Sequence, residues 1–294
     1  MKADGGIGRR ALLAAAAVLP FGAAAGAKAA MRAATLDWAV LETLLALGHP
    51  PVAATELVQF REVAVEPPMP DSVADLGLRG LPNLETLLFA RPDIIFNSNF
   101  YVALEPRLAA IAPVESFTLY RPGHSPYDPV IAMTRRVAER LGIGDAADAL
   151  VGRTDAGFAQ ARRRLEGLGR PVLPINLGDA RHFRVFGFDS MIGETLQRIG
   201  LQNAWAEATS YSAAAPLGLE TLARHGEAWI AVIGPVPPDA TPVLRRSAFW
   251  QALPAVKAGR VVWLDPIDPF GALPSARRFA RLLTEALVEA RGRG

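Results

Sequence analysis

Four histidines, His49, His124, His182 and His225, are the residues on which metal ligation or proton transfer would most readily be built. None falls in a His-x-x-x-His or His-Glu-x-x-His array, the spacings that set two imidazoles on one helix face. Each reads as a surface or supporting residue. A nucleophilic serine would announce itself in Gly-x-Ser-x-Gly, and the nearest approach, Gly187-Phe188-Asp189-Ser190-Met191, has the wrong spacing. Gly142-Ile143-Gly144 before Asp145-Ala146-Ala147 has the outline of a phosphate-cradling turn, but it follows a helical stretch and not a strand. It reads as a helix end followed by a cap. With no cysteine in the chain, disulfides, thiolate catalysis, Fe–S ligation, cysteine zinc sites and a lipobox anchor are all excluded. The sequence offers no catalytic constellation, no protein-held metal and no cofactor site, and the expectation is not an enzyme.

The elements that could position a binding site are clearer. The chain has 294 residues, 51% of them hydrophobic and 20% charged, which is enough for sizeable cores and more than one domain usually needs. Lys+Arg 31 against Asp+Glu 29 is near balance. The densest basic run, Arg162-Arg163-Arg164, reads as the wet face of a helix, so nucleic acid is not expected as a partner. At the N-terminus Arg9-Arg10 precede an apolar run from Ala11 to Ala25, broken by Pro20 and Gly22, and an Ala-x-Ala exit at Ala27-Lys28-Ala29. The run falls short of the ~20 apolar residues of a membrane span. It reads as a cleaved secretory signal over residues 1–29, its paired arginines pointing to twin-arginine export and a periplasmic location.

Glu-Thr-Leu recurs at Glu42, Glu85, Glu194 and Glu220, and the contexts match in pairs. Glu42-Thr43-Leu44 and Glu194-Thr195-Leu196 sit in apolar-periodic helices that stop at Gly48 and Gly200. Glu85-Thr86-Leu87 and Glu220-Thr221-Leu222 lead into the apolar runs Ile94-Ile95-Phe96 and Trp229 to Ile233, which read as buried parallel strands. These matches predict two related α/β lobes, residues 30–144 and 169–294. Between them a helix over 145–168, capped by Asp145 or Asp148, makes a stiff connection. A final amphipathic helix carries Phe279, Leu282, Leu283 and Leu287, with Ser275 as its cap.

Several segments resemble the class III substrate-binding proteins of iron–siderophore and cobalamin importers, nearest to the ferric hydroxamate (ferrichrome-type) branch. They are Thr35-Leu36-Asp37-Trp38 with Glu42 to Gly48, and Glu66-Pro67-Pro68-Met69-Pro70-Asp71-Ser72-Val73 running on through Asp75-Leu76-Gly77-Leu78-Arg79 to Pro82-Asn83-Leu84-Glu85. Arg181-His182, Val185-Phe186-Gly187, Asn203-Ala204-Trp205 and the block from Phe249 to Val256 with Gly259-Arg260 continue the match along almost the whole chain. The resemblance implies two α/β lobes, one long connecting helix, a shallow ligand cleft between the lobes and little closure on binding.

It further implies that Arg79 donates to iron-bound hydroxamate oxygens, with Tyr101 adding a phenolic donor. A guanidinium fork suits that task because it offers several donors in one plane and stays protonated. The siderophore fills every coordination position of the iron, so the protein ligates no metal. Trp38, Phe100, Phe183, Tyr211 and Phe270 are implied as aromatic walls, with Trp205 near the cleft or in the core. Ser212 and Asp268 stand where the ferrichrome-type proteins carry tryptophans, and Arg184 replaces an apolar residue, which predicts a more polar pocket and a hydroxamate or mixed ligand. Arg184 would favour a carboxylate-bearing ligand such as a citrate-based hydroxamate. Glu105 and Glu227 are implied as one acidic docking residue per lobe for an inner-membrane ABC permease, the protein itself being a monomer. Cobalamin or haem as ligand, or an exported α/β hydrolase, are the competing readings.

Overall fold

The computed structural model describes residues 30–209 and 217–293. In the first half, strands β1 (Ala33–Thr35), β2 (Ala53–Ala54), β3 (Ala74–Asp75), β4 (Ile94–Ser98) and β5 (Val114–Phe117) alternate with helices α1 (Trp38–Ala46), α2 (Leu57–Val63), α3 (Leu84–Ala90) and α4 (Glu105–Ala109). A 3-10 turn over Asn99–Leu104 links β4 to α4. Every pairing in this sheet is parallel, in the order β3-β2-β1-β4-β5. With helices on both faces its central strands have no wet side, and β1 and β4 are buried along their whole length.

Two long helices follow, α5 (Tyr127–Leu141) and α6 (Gly144–Arg164), and then the second half: β6 (Val172–Leu177), β7 (His182–Val185), α7 (Met191–Arg198), β8 (Leu217–Gly218), a 3-10 turn over Leu219–His225, β9 (Trp229–Gly234), α8 (Ala240–Arg246), α9 (Ala248–Ala252), α10 (Pro254–Lys257), β10 (Val261–Pro266) and α11 (Leu273–Gly292). Its sheet runs β10-β9-β6-β7-β8. Counted from each lobe's own first strand, both sheets therefore share the order 3-2-1-4-5. They differ in that β7 and β8 join antiparallel. The fold is thus two α/β lobes. The second pair of repeated triplets precedes the fourth strand of each, while the first pair lies in a helix that follows the first strand of one lobe and the second strand of the other. α1 and α7 both end at left-handed glycines, Gly48 (φ 74°) and Gly200 (φ 82°), while α3 and the Leu219–His225 turn both feed the buried central strands β4 and β9.

The connecting helix α6 spans 21 residues, about 30 Å at 1.5 Å per residue. Ala147, Leu150, Val151, Thr154, Phe158 and Ala161 form its buried stripe at helical spacing. It begins one residue earlier than expected, at Gly144, with Ile143 at the cap and no side-chain cap bond. Asp145 lies in the first turn, where its charge suits the helix dipole, and Asp148 instead reaches Arg135 at 3.6 Å. The helix ends at Arg164, ahead of the left-handed Gly167 and Gly169.

Ser275 does not cap the last helix. α11 starts at Leu273, and its first N–H groups are taken by a side chain from the other lobe. Glu42 of α1 accepts from the backbone N–H of Ala272 through Oε1, which also lies 3.3 Å from the Ser275 N–H, while Ser275 Oγ donates to Oε2 at 2.7 Å. Burial and the nearby Asp268 charge push Glu42 up to about 8. A second cross-lobe link is the Tyr120 hydroxyl, which donates to the Gly271 carbonyl.

Close backbone approach fixes the start of α7. A Cβ on Gly193 would lie 1.9 Å from the Gly187 carbonyl oxygen. Gly193→Ala is expected to destabilise the protein by about 2 kcal/mol or more, read as a drop of roughly 5 °C in Tm. An unchanged Tm would mean that the α7 start shifts without cost.

Candidate ligand-binding cleft

Arg79 leaves the turn after β3, where Gly77 adopts φ 72°. Its backbone N–H donates to Glu56 Oε1 at 3.1 Å, and its Nε lies 2.6 Å from Glu56 Oε2. The second contact is an ion pair without hydrogen-bond alignment, since no donor is correctly directed at that oxygen. The guanidinium also lies over the Trp38 ring, 4.2 Å from its centroid, a cation–π stack. Trp38 is itself held, its Nε1 donating to the Thr55 carbonyl at 3.1 Å and its ring meeting Phe60 edge-on at 5.4 Å. The guanidinium plane is therefore set by the ring beneath and the carboxylate beside it. A third of the Arg79 side chain, 33%, stays open.

Glu56 was not visible as a site residue in the sequence. It sits before α2 with φ 52°, a left-handed conformation that costs a glutamate strain, and it makes no cap bond to that helix. Its carboxylate serves Arg79 instead. Asp37 is likewise fixed by its neighbours. It caps α1 by accepting from the Val40 N–H at 3.1 Å and takes the Ser98 hydroxyl at 2.6 Å through its other oxygen. Burial raises its pKa against those hydrogen bonds.

Tyr101 follows β4 in the 3-10 turn. Burial, with the Asp37 charge adding and Arg79 opposing, pushes its phenol up to about 12. The hydroxyl thus keeps its proton across the physiological range and can act as a donor. Phe100 is 48% exposed and stacks on Tyr120 at 6.1 Å, while Phe270 meets both rings edge-on, at 6.4 and 5.7 Å. Asp268, two residues earlier in the same segment, is only 5% exposed. Its Oδ1 accepts the Phe270 N–H at 3.0 Å, and no donor among the described residues reaches Oδ2. Burial raises its pKa to about 6.

Asp37, Trp38, Arg79, Phe100, Tyr101, Asp268 and Phe270 thus line one cleft of ≈ 240 Å³, with the first lobe on one side and the segment after β10 on the other. A larger groove of ≈ 500 Å³ runs along α6 and α11 and is lined by Arg153, Arg164, Arg277 and Arg281. It shares no residue with the aromatic cleft, and it lacks the combination of oriented donors and aromatic walls. The chemistry lies in the smaller site.

The other sequence expectations part company here. Phe183 is fully buried in the second lobe's core, packed with residues of β6 and β9, and is not a wall of this cleft. Arg184 lies on the opposite face of β7, half-buried, and is not among the cleft's lining residues. Trp205 belongs to the same core as Phe183 and lies 5.7 Å from His225. Tyr211 and Ser212 lie outside the described residues. Glu105 accepts the Ser116 hydroxyl, and Glu227, 80% exposed, pairs with Arg170.

Hydrolytic machinery finds no support in the geometry. Ser190 caps α7, accepting from the Gly193 N–H at 2.9 Å and donating to the Gly187 carbonyl at 2.7 Å. Asp189 beside it is tied to the Gly123 and Thr209 N–H groups. His49 contacts the Met31 carbonyl and His182 contacts Asp179. Among the described residues no cluster of histidines and carboxylates could hold a metal ion.

The model of the family described as periplasmic binding protein matches residues 34–267, most of the chain and every lining residue of the cleft except Asp268 and Phe270. The chain belongs to the periplasmic binding protein family. This periplasmic binding protein is 33% identical, over 96% of its length and 97% of the relative's, to the iron(3+)-hydroxamate-binding protein FhuD of Escherichia coli (strain K12). Its fold superposes on the Desferal-bound siderophore-binding protein FhuD of Vibrio cholerae with a TM-score of 0.83 at 27% identity, covering 88% of this chain and 98% of that one. FhuD2 of Staphylococcus aureus, solved with ferrioxamine B, gives 0.70 at 18% identity, covering 88% and 99%. These relatives are binding proteins, and this periplasmic binding protein is not an enzyme. Among the described residues no helix is long and apolar enough to cross a membrane.

Proposed function

We propose that this protein captures a ferric hydroxamate-type siderophore and delivers it to an ABC import permease. The observation that carries the reading is the convergence of a charged fork and a neutral phenol, Arg79 and Tyr101, on a cleft walled by Phe100 and Phe270. A ferric trihydroxamate presents iron-bound oxygens that each carry partial negative charge on an otherwise neutral complex. Guanidinium and phenol donate to those oxygens, and the aromatic rings hold the ligand's apolar arms. The iron-hydroxamate relative in Escherichia coli supports the same ligand class. Haem would call for an axial histidine, and none of the described histidines lines this cleft.

Residues 1–29 act as an export signal of the twin-arginine type, leaving a monomeric periplasmic receptor. Its lobes cover 30–144 and 169–294, with the helical connection between. Tyr211, from the second lobe's sequence, adds an aromatic contact to the ligand. Glu105 on the first lobe and Glu227 on the second each offer a carboxylate to arginines of the permease.

The test is a titration of intrinsic tryptophan fluorescence. Trp38 lies directly under Arg79, so ligand contact at the guanidinium is reported at once. Ferrichrome, ferrioxamine and an aerobactin-type complex are expected to give saturable quenching, and a ferric catecholate and cobalamin none. Silence from all three hydroxamates would sink the assignment.

A further inference from the structure

The cleft carries more carboxylate than a neutral iron complex can use. Two acidic side chains, Asp37 and Asp268, line it beside a single lining guanidinium, Arg79, which Glu56 already pairs from outside the lining. Asp37 is satisfied by Ser98 and Val40, and Glu56 Oε2, although it has no aligned donor, is charge-paired with Arg79 Nε at 2.6 Å. Asp268 is different. It is 95% buried, since only 5% is exposed, it lines the cleft, and its Oδ2 has no donor among the described residues. A buried carboxylate oxygen without a partner costs about 1–3 kcal/mol, and more when charged, so such an atom calls for a donor from outside the protein. Beside it stand Phe270 and Phe100, ring to ring at 6.4 Å, with Phe100 open to the cleft. Carboxylate together with aromatic faces is the chemistry that recognises an alkylammonium group.

From this arrangement we infer that Asp268, with Phe100 and Phe270, forms a subsite for a primary ammonium carried on the organic backbone of the siderophore. The inference rests on the proposed hydroxamate function and narrows it. The ferric trihydroxamate core is neutral and sits on Arg79 and Tyr101, while a cationic tail reaches Asp268. The same carboxylates disfavour a multiply anionic ligand, so the citrate-type complex that Arg184 suggests becomes the poorer ligand.

The test compares two ligands with identical iron coordination, ferrioxamine B and its N-acetylated form, in which the terminal ammonium becomes a neutral amide. Calorimetric titration of the full-length mature protein is expected to show acetylation weakening binding about 10-fold or more. In Asp268→Asn the two ligands are expected to bind within about twofold of each other. Equal affinities in the wild type would overturn the subsite, as would an unchanged ratio in Asp268→Asn. The wild-type comparison holds whether or not the variant folds. Binding of ferrichrome with no binding of ferrioxamine B would likewise overturn the subsite and leave the hydroxamate reading standing. No binding of any hydroxamate would overturn both.

Discussion

Arg79→Ala is expected to weaken binding of a ferric hydroxamate about 100-fold or more, while Arg79→Lys recovers only part of the loss. The guanidinium is held in one plane by the Trp38 ring at 4.2 Å and the Glu56 carboxylate at 2.6 Å, so its orientation at the cleft is fixed before any ligand arrives. Little rotamer entropy is then left to lose on binding. Hydrogen bonds to charged groups contribute about 1.5–3 kcal/mol each, and two of them account for the expected factor. Alanine also strands Glu56, whose side chain is only 14% exposed, and adds its charge to a cleft that already holds Asp37 and Asp268. Lysine restores the charge but has neither the planar stack on Trp38 nor a second donor in the same plane. Calorimetry is the suitable readout, because removing the stacked guanidinium alters Trp38 emission by itself. Affinity of Arg79→Ala within threefold of the wild type would remove Arg79 from the binding site.

The fold was legible to the extent that local pattern and stop signals agree. Ile94-Ile95-Phe96 and Trp229 to Ile233 could be read as central strands because an uninterrupted apolar run between turn residues fits only an element buried on both faces. Gly48 and Gly200 marked helix ends because both positions need positive φ. What depended on tertiary partners was not legible. Ser275 follows a proline at a helix start and matches every local rule for a cap, yet the α11 terminus is satisfied by Glu42, a residue 233 positions away in sequence. Nothing local distinguishes Glu42 from the other three glutamates of the repeated triplet.

The site followed the same division. Arg79, Tyr101, Trp38, Phe100, Phe270 and Asp268 converge on one cleft, and resemblance to a family reached them where spacing alone did not. Phe183 and Arg184 could never both have faced it. Adjacent residues of a strand point to opposite sides, and a four-residue strand gives too short an alternation to say which side is core. The structure puts Phe183 inside. Glu56 was invisible for another reason. Left-handed backbone is advertised by glycine or asparagine, and a glutamate held there by its surroundings carries no mark.

Glu42 also determines how stability responds to pH. Its carboxyl is fully buried, with a raised pKa of about 8 against 4.5 in an exposed chain, burial being the first cause and the Asp268 charge the second. Between these two values the unfolded chain has released the proton while the folded chain retains it, so the folded state binds more protons and stability falls as pH rises. The contribution is complete below about pH 4.5 and is lost on rising through about pH 8. Asp268, raised from 3.8 to about 6, acts in the same direction over a lower window. Thermal unfolding is therefore expected to show a Tm that drops from pH 5 to pH 8.5, Glu42 accounting for up to about 4 kcal/mol. In Glu42→Gln, where no proton is left to lose, most of that slope should vanish while the contacts to Ala272 and Ser275 retain an acceptor. Glu42→Ala tests the structural half of the argument, since it leaves the start of α11 with unsatisfied buried donors and a cavity between the lobes. A loss of about 3–5 kcal/mol at pH 6 is expected, or roughly 10 °C in Tm. A Glu42→Gln profile with the wild-type slope would show that another group titrates in this window, and a fully stable Glu42→Ala would mean that α11 is capped without its cross-lobe partner.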